Sequence, residues 1–109
     1  MRIWLDDIRV PPENEGWLWL TTSKDALALL DAALESQRYA PVGEATFEAI
    51  AFDHDLGGDD DSRRVLTWIV EHNFWPDHIY FLTSNPIGRK WLVGTARRYA
   101  PDSVKIHSM

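Results

Sequence analysis

Short apolar runs, each closing on a polar cluster, alternate along this chain with stretches of helical period. Arg2-Ile-Trp-Leu5 ends at Asp6-Asp7, Ala49-Ile-Ala-Phe52 ends at Asp53-His54-Asp55, and Ile79-Tyr-Phe-Leu82 ends at Thr83-Ser84-Asn85. Such runs read as buried strands that deliver polar groups at their tips. The third begins at His78 and the second at Phe47 or Glu48. Trp17-Leu-Trp-Leu20 alternates, which sends two tryptophans to one face of a strand and two leucines to the other. Val104-Lys-Ile106, after the turn signal Pro101-Asp102, predicts a short last strand.

Between these runs the period changes. Thr22-Ser-Lys-Asp25 has the form of a capping box, and Ala26, Leu27, Leu29, Leu30, Ala33 and Leu34 then recur at helical spacing, fading near Gln37. Asp61 or Ser62 can cap a second helix with inner positions Val65, Leu66, Ile69 and Val70, with Pro76 on its far side. Asn85-Pro86 announces a third, running through about Tyr99, whose buried face would hold Trp91, Leu92, Thr95, Ala96 and Tyr99. Pro11-Pro12, Asn14 and Gly16 restrict residues 8–16 to a loop with at most one helical turn, and residues 39–46, with Pro41 and Gly43, read as a connection. A strand, a strand, then helix and strand in alternation predict a mainly parallel sheet with helices on its faces. In a parallel sheet the carboxyl ends lie side by side, so the polar clusters would share one crevice. The first crossover is shorter than a parallel pair normally uses.

The 109 residues suffice for one domain, 1–109, around a single core. No apolar run approaches the roughly 20 residues of a membrane span, and the N-terminus meets Asp6 too soon for a secretory signal. The expectation is a cytoplasmic protein with no membrane partner. Cysteine is absent, which removes disulfides, thiolate metal sites and cysteine nucleophiles. A net charge of −6 argues against a broad phosphate-neutralising surface for nucleic acid. A divalent cation held by aspartates reverses that sign locally and leaves a phosphoester ligand open. Six tryptophans are many for this length; packing is the expected use, and stacking of Trp17, Trp19 or Trp75 on a nucleobase is the alternative.

Asp6, Asp7 and Asp53 are hard oxygen ligands suited to Mg²⁺ or Mn²⁺, although loop capping and pairing with Arg2, Arg9 or Lys105 would also account for them. His54, between two aspartates, is the best acid-base candidate; the alternative is an imidazole packed under a helix while Asp53 faces the crevice. His72, His78 and His107 have weaker cases, and an Asp-x-Asp-x-Gly string from Asp53 fails as a calcium loop because Gly57 and Arg64 fall on ligand positions. Thr83, Ser84 and Asn85 combine hydroxyls with a helix start that can face phosphate, or simply cap that helix. Arg89 and Lys90 lie one turn further on and either reach a phosphate or form a solvated face.

Leu5-Asp6-Asp7-Ile8-Arg9 with Pro11-Pro12, then Phe52-Asp53-His54-Asp55-Leu56-Gly57, then Thr83-Ser84-Asn85-Pro86-Ile87-Gly88, resemble the cyclic-phosphate processing receiver domain family. The resemblance implies an α/β, flavodoxin-like three-layer sandwich related to response-regulator receivers. Its five-stranded, mainly parallel sheet would have the order 2-1-3-4-5, with the first helix reduced and the fifth absent. It implies Asp6 and Asp7 as the metal-binding acidic pair, Asp53 as the phosphoryl-accepting aspartate and Thr83 or Ser84 as the phosphate-contacting hydroxyl. Lys105 lies inside its strand without a following proline, a departure from the receiver lysine.

The function expected is a metal-dependent phosphoesterase on cyclic phosphates, such as 2′,3′-cyclic ends of RNA or nucleotides. Its catalytic set is Asp53, His54 and Asp55, its metal set is Asp6, Asp7 and Asp53, and its phosphate set is Thr83, Ser84, Asn85, Arg9 and Arg89. A signalling receiver phosphorylated on Asp53 and a non-catalytic adaptor are the alternatives.

Overall fold

The computed structural model describes residues 1–39 and 47–108. Among the described residues eight elements follow in chain order: β1 (Arg2–Leu5), β2 (Trp17–Leu20), α1 (Ser23–Gln37), β3 (Ala49–Phe52), α2 (Arg63–His72), β4 (His78–Phe81), α3 (Pro86–Tyr99) and β5 (Lys105–His107). The last strand sits one residue later than its apolar run suggests, and most of the expected connection over residues 39–46 lies outside the described residues.

Local chemistry explains the helix ends. Thr22 accepts from the Asp25 amide, as the capping box requires. Ser62 stands at the start of α2, but the side chain that accepts there is that of Asp61, from the Arg63 amide. Asn85 accepts from the amides of Ile87 and Gly88 at the start of α3, with Pro86 in the first turn. Asn73, in the left-handed conformation at φ 48°, closes α2.

All four strand pairings are parallel, and the sheet order is β2-β1-β3-β4-β5. The short β1–β2 connection, residues 6–16, forms no helix yet leaves the two strands parallel, with Arg2 opposite Trp17 and Leu5 opposite Leu20. One sheet face carries Ile3, Leu5, Ile50, Phe52, Ile79 and Phe81, all nearly inaccessible, packed against Ala26 and Leu30 of α1, Val65, Leu66 and Ile69 of α2, and Leu92 and Ala96 of α3. Each such aliphatic side chain contributes about 1.5–3 kcal/mol by leaving water. In α3 the buried stripe is Gly88, Leu92 and Ala96, so Tyr99, expected to share it, is instead 51% exposed.

Handedness puts all three helices in one layer. The crossovers from β2 to β3, β3 to β4 and β4 to β5 step in the same direction across the sheet, and right-handed connections then lie on the same side. Contacts between α1 and α2 and between α2 and α3 agree. Only the step from β1 to β2 runs the other way, and its connection carries no helix. Of the three layers expected, the described residues therefore fill two. The register places Arg2, Trp4, Trp17, Trp19, His78, Tyr80, Lys105 and His107 together on the other face, around Ala49 and Ala51. This corrects the expectation that the tryptophans fill the core: Trp68, Trp75 and Trp91 flank it, while Trp4, Trp17 and Trp19 belong to strands whose outer face meets no helix among the described residues.

Candidate functional site

The carboxyl ends of β1, β3 and β4 are adjacent because those strands are neighbours in register, Leu5 opposite Phe52 and Phe52 opposite Phe81. The residues after each strand share a cleft of about 360 Å³ lined by Asp7, Ile8, Arg9, Asp53, Asp55, Gly57, Thr83 and Ser84. Asp6 lies fully buried beneath it. One carboxylate oxygen from each of Asp6, Asp7 and Asp53 lies within 4.8 Å of the others. Gly57, at φ +91°, brings the loop after β3 so close that a Cβ there would touch Asp7 Oδ2 at 3.4 Å.

The three carboxylates differ in their surroundings. Asp6 Oδ1 accepts from the Ile8 and Arg9 amides, both at 2.9 Å, and folds the start of the β1–β2 connection around itself. Its Oδ2 receives the Arg9 guanidinium at 3.1 Å, and the same nitrogen stands 3.6 Å from Asp53 Oδ1. Arg9 is thus an internal counter-ion between two acids, and its hydrogen bond with Asp6 raises its own pKa. Asp53 accepts from the His54 amide at 2.9 Å. Desolvation pushes the Asp53 pKa up and repulsion from Asp6 adds to this, against Arg9, the His54 amide and the Thr83 hydroxyl. A buried carboxylate beside another, with part of its charge uncompensated, suits a cation. Three hard oxygens so placed are a donor set that could hold Mg²⁺ or Mn²⁺.

His54 and Asp55 are placed differently from each other. The His54 ring is nearly buried and is not part of the cleft lining. It packs against α3 where Gly88 has no side chain; a Cβ on Gly88 would overlap the imidazole. Arg63 Nε donates to His54 Nε2 at 2.9 Å, and because guanidinium only donates, the other nitrogen, Nδ1, is the donor to Asp55 Oδ1 at 3.0 Å. Both ring nitrogens are engaged, so the alternative of an imidazole packed under a helix describes this ring. Asp55 is exposed in the cleft, held by Asn85 Nδ2 at 3.0 Å and by His54. Those two hydrogen bonds, Asn85 first, lower its pKa and keep it a carboxylate.

Of the phosphate candidates, Thr83, Ser84 and Arg9 line the cleft. Asn85 spends its side chain on capping α3 and on Asp55. Arg89 lies in a separate cavity with Lys90 and Arg97, and its Nη1 reaches the Phe81 carbonyl at 3.4 Å. Lys105 begins β5 opposite His78, at the rim away from the cleft, because the lysine opens its strand instead of ending it. His107 pairs with His78 and is likewise not in the cleft lining. Sequence reasoning missed Arg63 and Gly88 as the partners that seat His54. Arg63 is nine positions away and Gly88 lies on another helix, so neither spacing carried a signal.

The sequence matches the model of the cyclic-phosphate processing receiver domain over residues 1–98. No curated protein and no solved structure matches the chain. With that match running from β1 into α3, and a sheet in the receiver order, the chain belongs to the family of cyclic-phosphate processing receiver domains.

Proposed function

We propose that the acidic cleft is a divalent-cation site at which a cyclic phosphate ester is hydrolysed to a monoester. The observation that carries this is the convergence of Asp6, Asp7 and Asp53 within 4.8 Å on a cleft that Thr83 and Ser84 also line. Asp6, Asp7 and Asp53 would hold Mg²⁺ or Mn²⁺, and the bound ion would supply Lewis-acid neutralisation of phosphate charge. The Thr83 and Ser84 hydroxyls and the Arg9 guanidinium donate to phosphate oxygens. Asp55, kept ionised and aimed by Asn85 and His54, accepts a proton from the attacking water. The water oxygen bonds to phosphorus as one ring P–O bond breaks, and the proton taken by Asp55 returns to the released alkoxide. His54 and Arg63 act through Asp55 as positioning residues.

Turnover of 2′,3′-cyclic nucleotides with Mg²⁺ or Mn²⁺ tests the assignment. Asp7→Asn is expected to abolish it and Asp55→Asn to lower kcat by about 10²- to 10⁴-fold. His54→Ala, which only loosens Asp55, is expected to cost less than Asp55→Asn. Turnover unchanged in Asp7→Asn would remove the proposal. A second reading, phosphoryl acceptance on Asp53, is favoured by the contact of Asp53 with Thr83. In that case acetyl phosphate and Mg²⁺ add the mass of one phosphoryl group, absent in Asp53→Asn, and cyclic nucleotides remain intact.

A further inference from the structure

The sheet face turned away from the helices is paved with rings. Trp4 and Trp17 meet edge to face at 5.4 Å, Trp17 and Tyr80 at 6.1 Å, and Tyr80 stacks on His107 at 4.4 Å with planes 6° apart. His78 continues the row, 5.3 Å from His107. Beneath the rings Ala49 and Ala51 are inaccessible, although no helix among the described residues covers them. The rings of Trp4, Trp17, His78, Tyr80 and His107 are half-buried, and Trp19 is 44% exposed. The Arg2 guanidinium sits 4.4 Å above Trp17, with its Nε lacking a hydrogen-bond partner among the described residues. Lys105 lies exposed on the edge strand β5, in the same register row as Arg2. No strand residue on this face is a carboxylate; Glu15, from the β1–β2 connection, accepts from the Trp17 indole at the edge.

What such a face accepts follows from its composition. The helix-covered face shows what helix docking needs in this protein, an unbroken set of Ile, Leu and Phe. The paved face has no aliphatic side chain larger than alanine and carries Arg2 on β1 and Lys105 on the edge strand β5, so it lacks the interdigitating surface a helix requires. A second copy laid face to face would bring Arg2 and Lys105 of each protomer onto a like-charged surface. Planar rings flanked by cations suit a ligand with flat faces and a negative backbone. We propose that this open face binds single-stranded nucleic acid, its bases stacking on Trp4, Trp17, Tyr80 and His107 and its phosphates meeting Arg2 and Lys105. Sheet faces of this width hold two or three bases in RNA-recognition folds. The net charge of −6 belongs to the whole molecule and does not describe this face. The inference does not use the acidic cleft, its metal or its chemistry.

The test is fluorescence anisotropy with a labelled ten-nucleotide single-stranded RNA, at low salt with EDTA so that no divalent cation contributes. Saturable binding with quenching of tryptophan emission is expected, and a duplex of the same sequence should bind far more weakly. Trp17→Leu and Tyr80→Leu keep apolar bulk while removing a stacking surface, and each is expected to weaken binding roughly five- to a hundred-fold. Tyr80→Phe retains the ring and should retain affinity, which separates stacking from damage to the fold. Absence of saturable binding would overturn the proposal. So would Leu variants that bind like wild type, or sedimentation showing a dimer that Trp17→Leu dissociates.

Discussion

Asp53 sits where burial and a neighbouring carboxylate both oppose its charge. Its folded pKa therefore lies above the unfolded value, so in the metal-free protein stability is lost as pH rises from the unfolded value through the folded one. Asp53→Asn is expected to raise the melting temperature of the metal-free protein at neutral pH by a few degrees, a gain that closes in acid. The same variant should lose most of the stabilisation that Mg²⁺ gives wild type, measured by thermal unfolding with and without the ion. A melting temperature lowered by Asp53→Asn in EDTA would show that Arg9 already compensates the charge. Gly88 has the opposite character, since its missing side chain is the space that the His54 ring fills. Gly88→Ala is expected to cost about 1–3 kcal/mol in denaturant unfolding. Combining it with His54→Ala should recover part of that loss.

At the scale of elements, the start of α1 depends on a residue from a distant loop. Ser23 donates its amide to Asp60 Oδ2 at 2.9 Å and its hydroxyl to Oδ1 at 2.5 Å, so a carboxylate following β3 satisfies the first turn of a helix that precedes it. Burial acts to raise the Asp60 pKa, but the hydrogen bonds from Ser23 prevail and hold it low. A depressed carboxylate contributes its stability above the unfolded value of about 3.9 and loses it as pH falls through the folded one. Asp60→Asn is expected to destabilise by about 1–3 kcal/mol near pH 7. The difference from wild type should shrink below about pH 4. A gap that stayed constant down to pH 3 would show that the contact does not depend on charge.

At the scale of the whole molecule, one strand shows how unequal the two sheet faces are. Ile79 is inaccessible under the helices, while its neighbour Tyr80 lies half-exposed in the aromatic pavement. Ile79→Ala is expected to cost about 2–5 kcal/mol, because it opens a cavity in the only layer of packed helices described. Tyr80→Ala should cost clearly less, since water reaches the space it vacates. Equal losses in equilibrium unfolding would mean that something covers the second face. The cause of the asymmetry is topological: with order 2-1-3-4-5, the β1–β2 connection is the one among the described residues that leads to that side, and it holds no helix.

Much of this was determined locally and could be read along the chain. The apolar period marked the strands and helices, Thr22 and Asn85 marked two helix starts, and the polar clusters after β1, β3 and β4 marked one rim of a parallel sheet. These signals survive in sequence because propensity, capping and strand polarity act over a few residues. Tertiary structure alone decided which candidates meet. It put Arg9 between Asp6 and Asp53, turned His54 away under α3 with Arg63, sent Arg89 and Lys105 elsewhere, and left the tryptophans of β1 and β2 on an open face. Those outcomes depend on side-chain direction and on which side a crossover takes, and a spacing along one chain encodes neither.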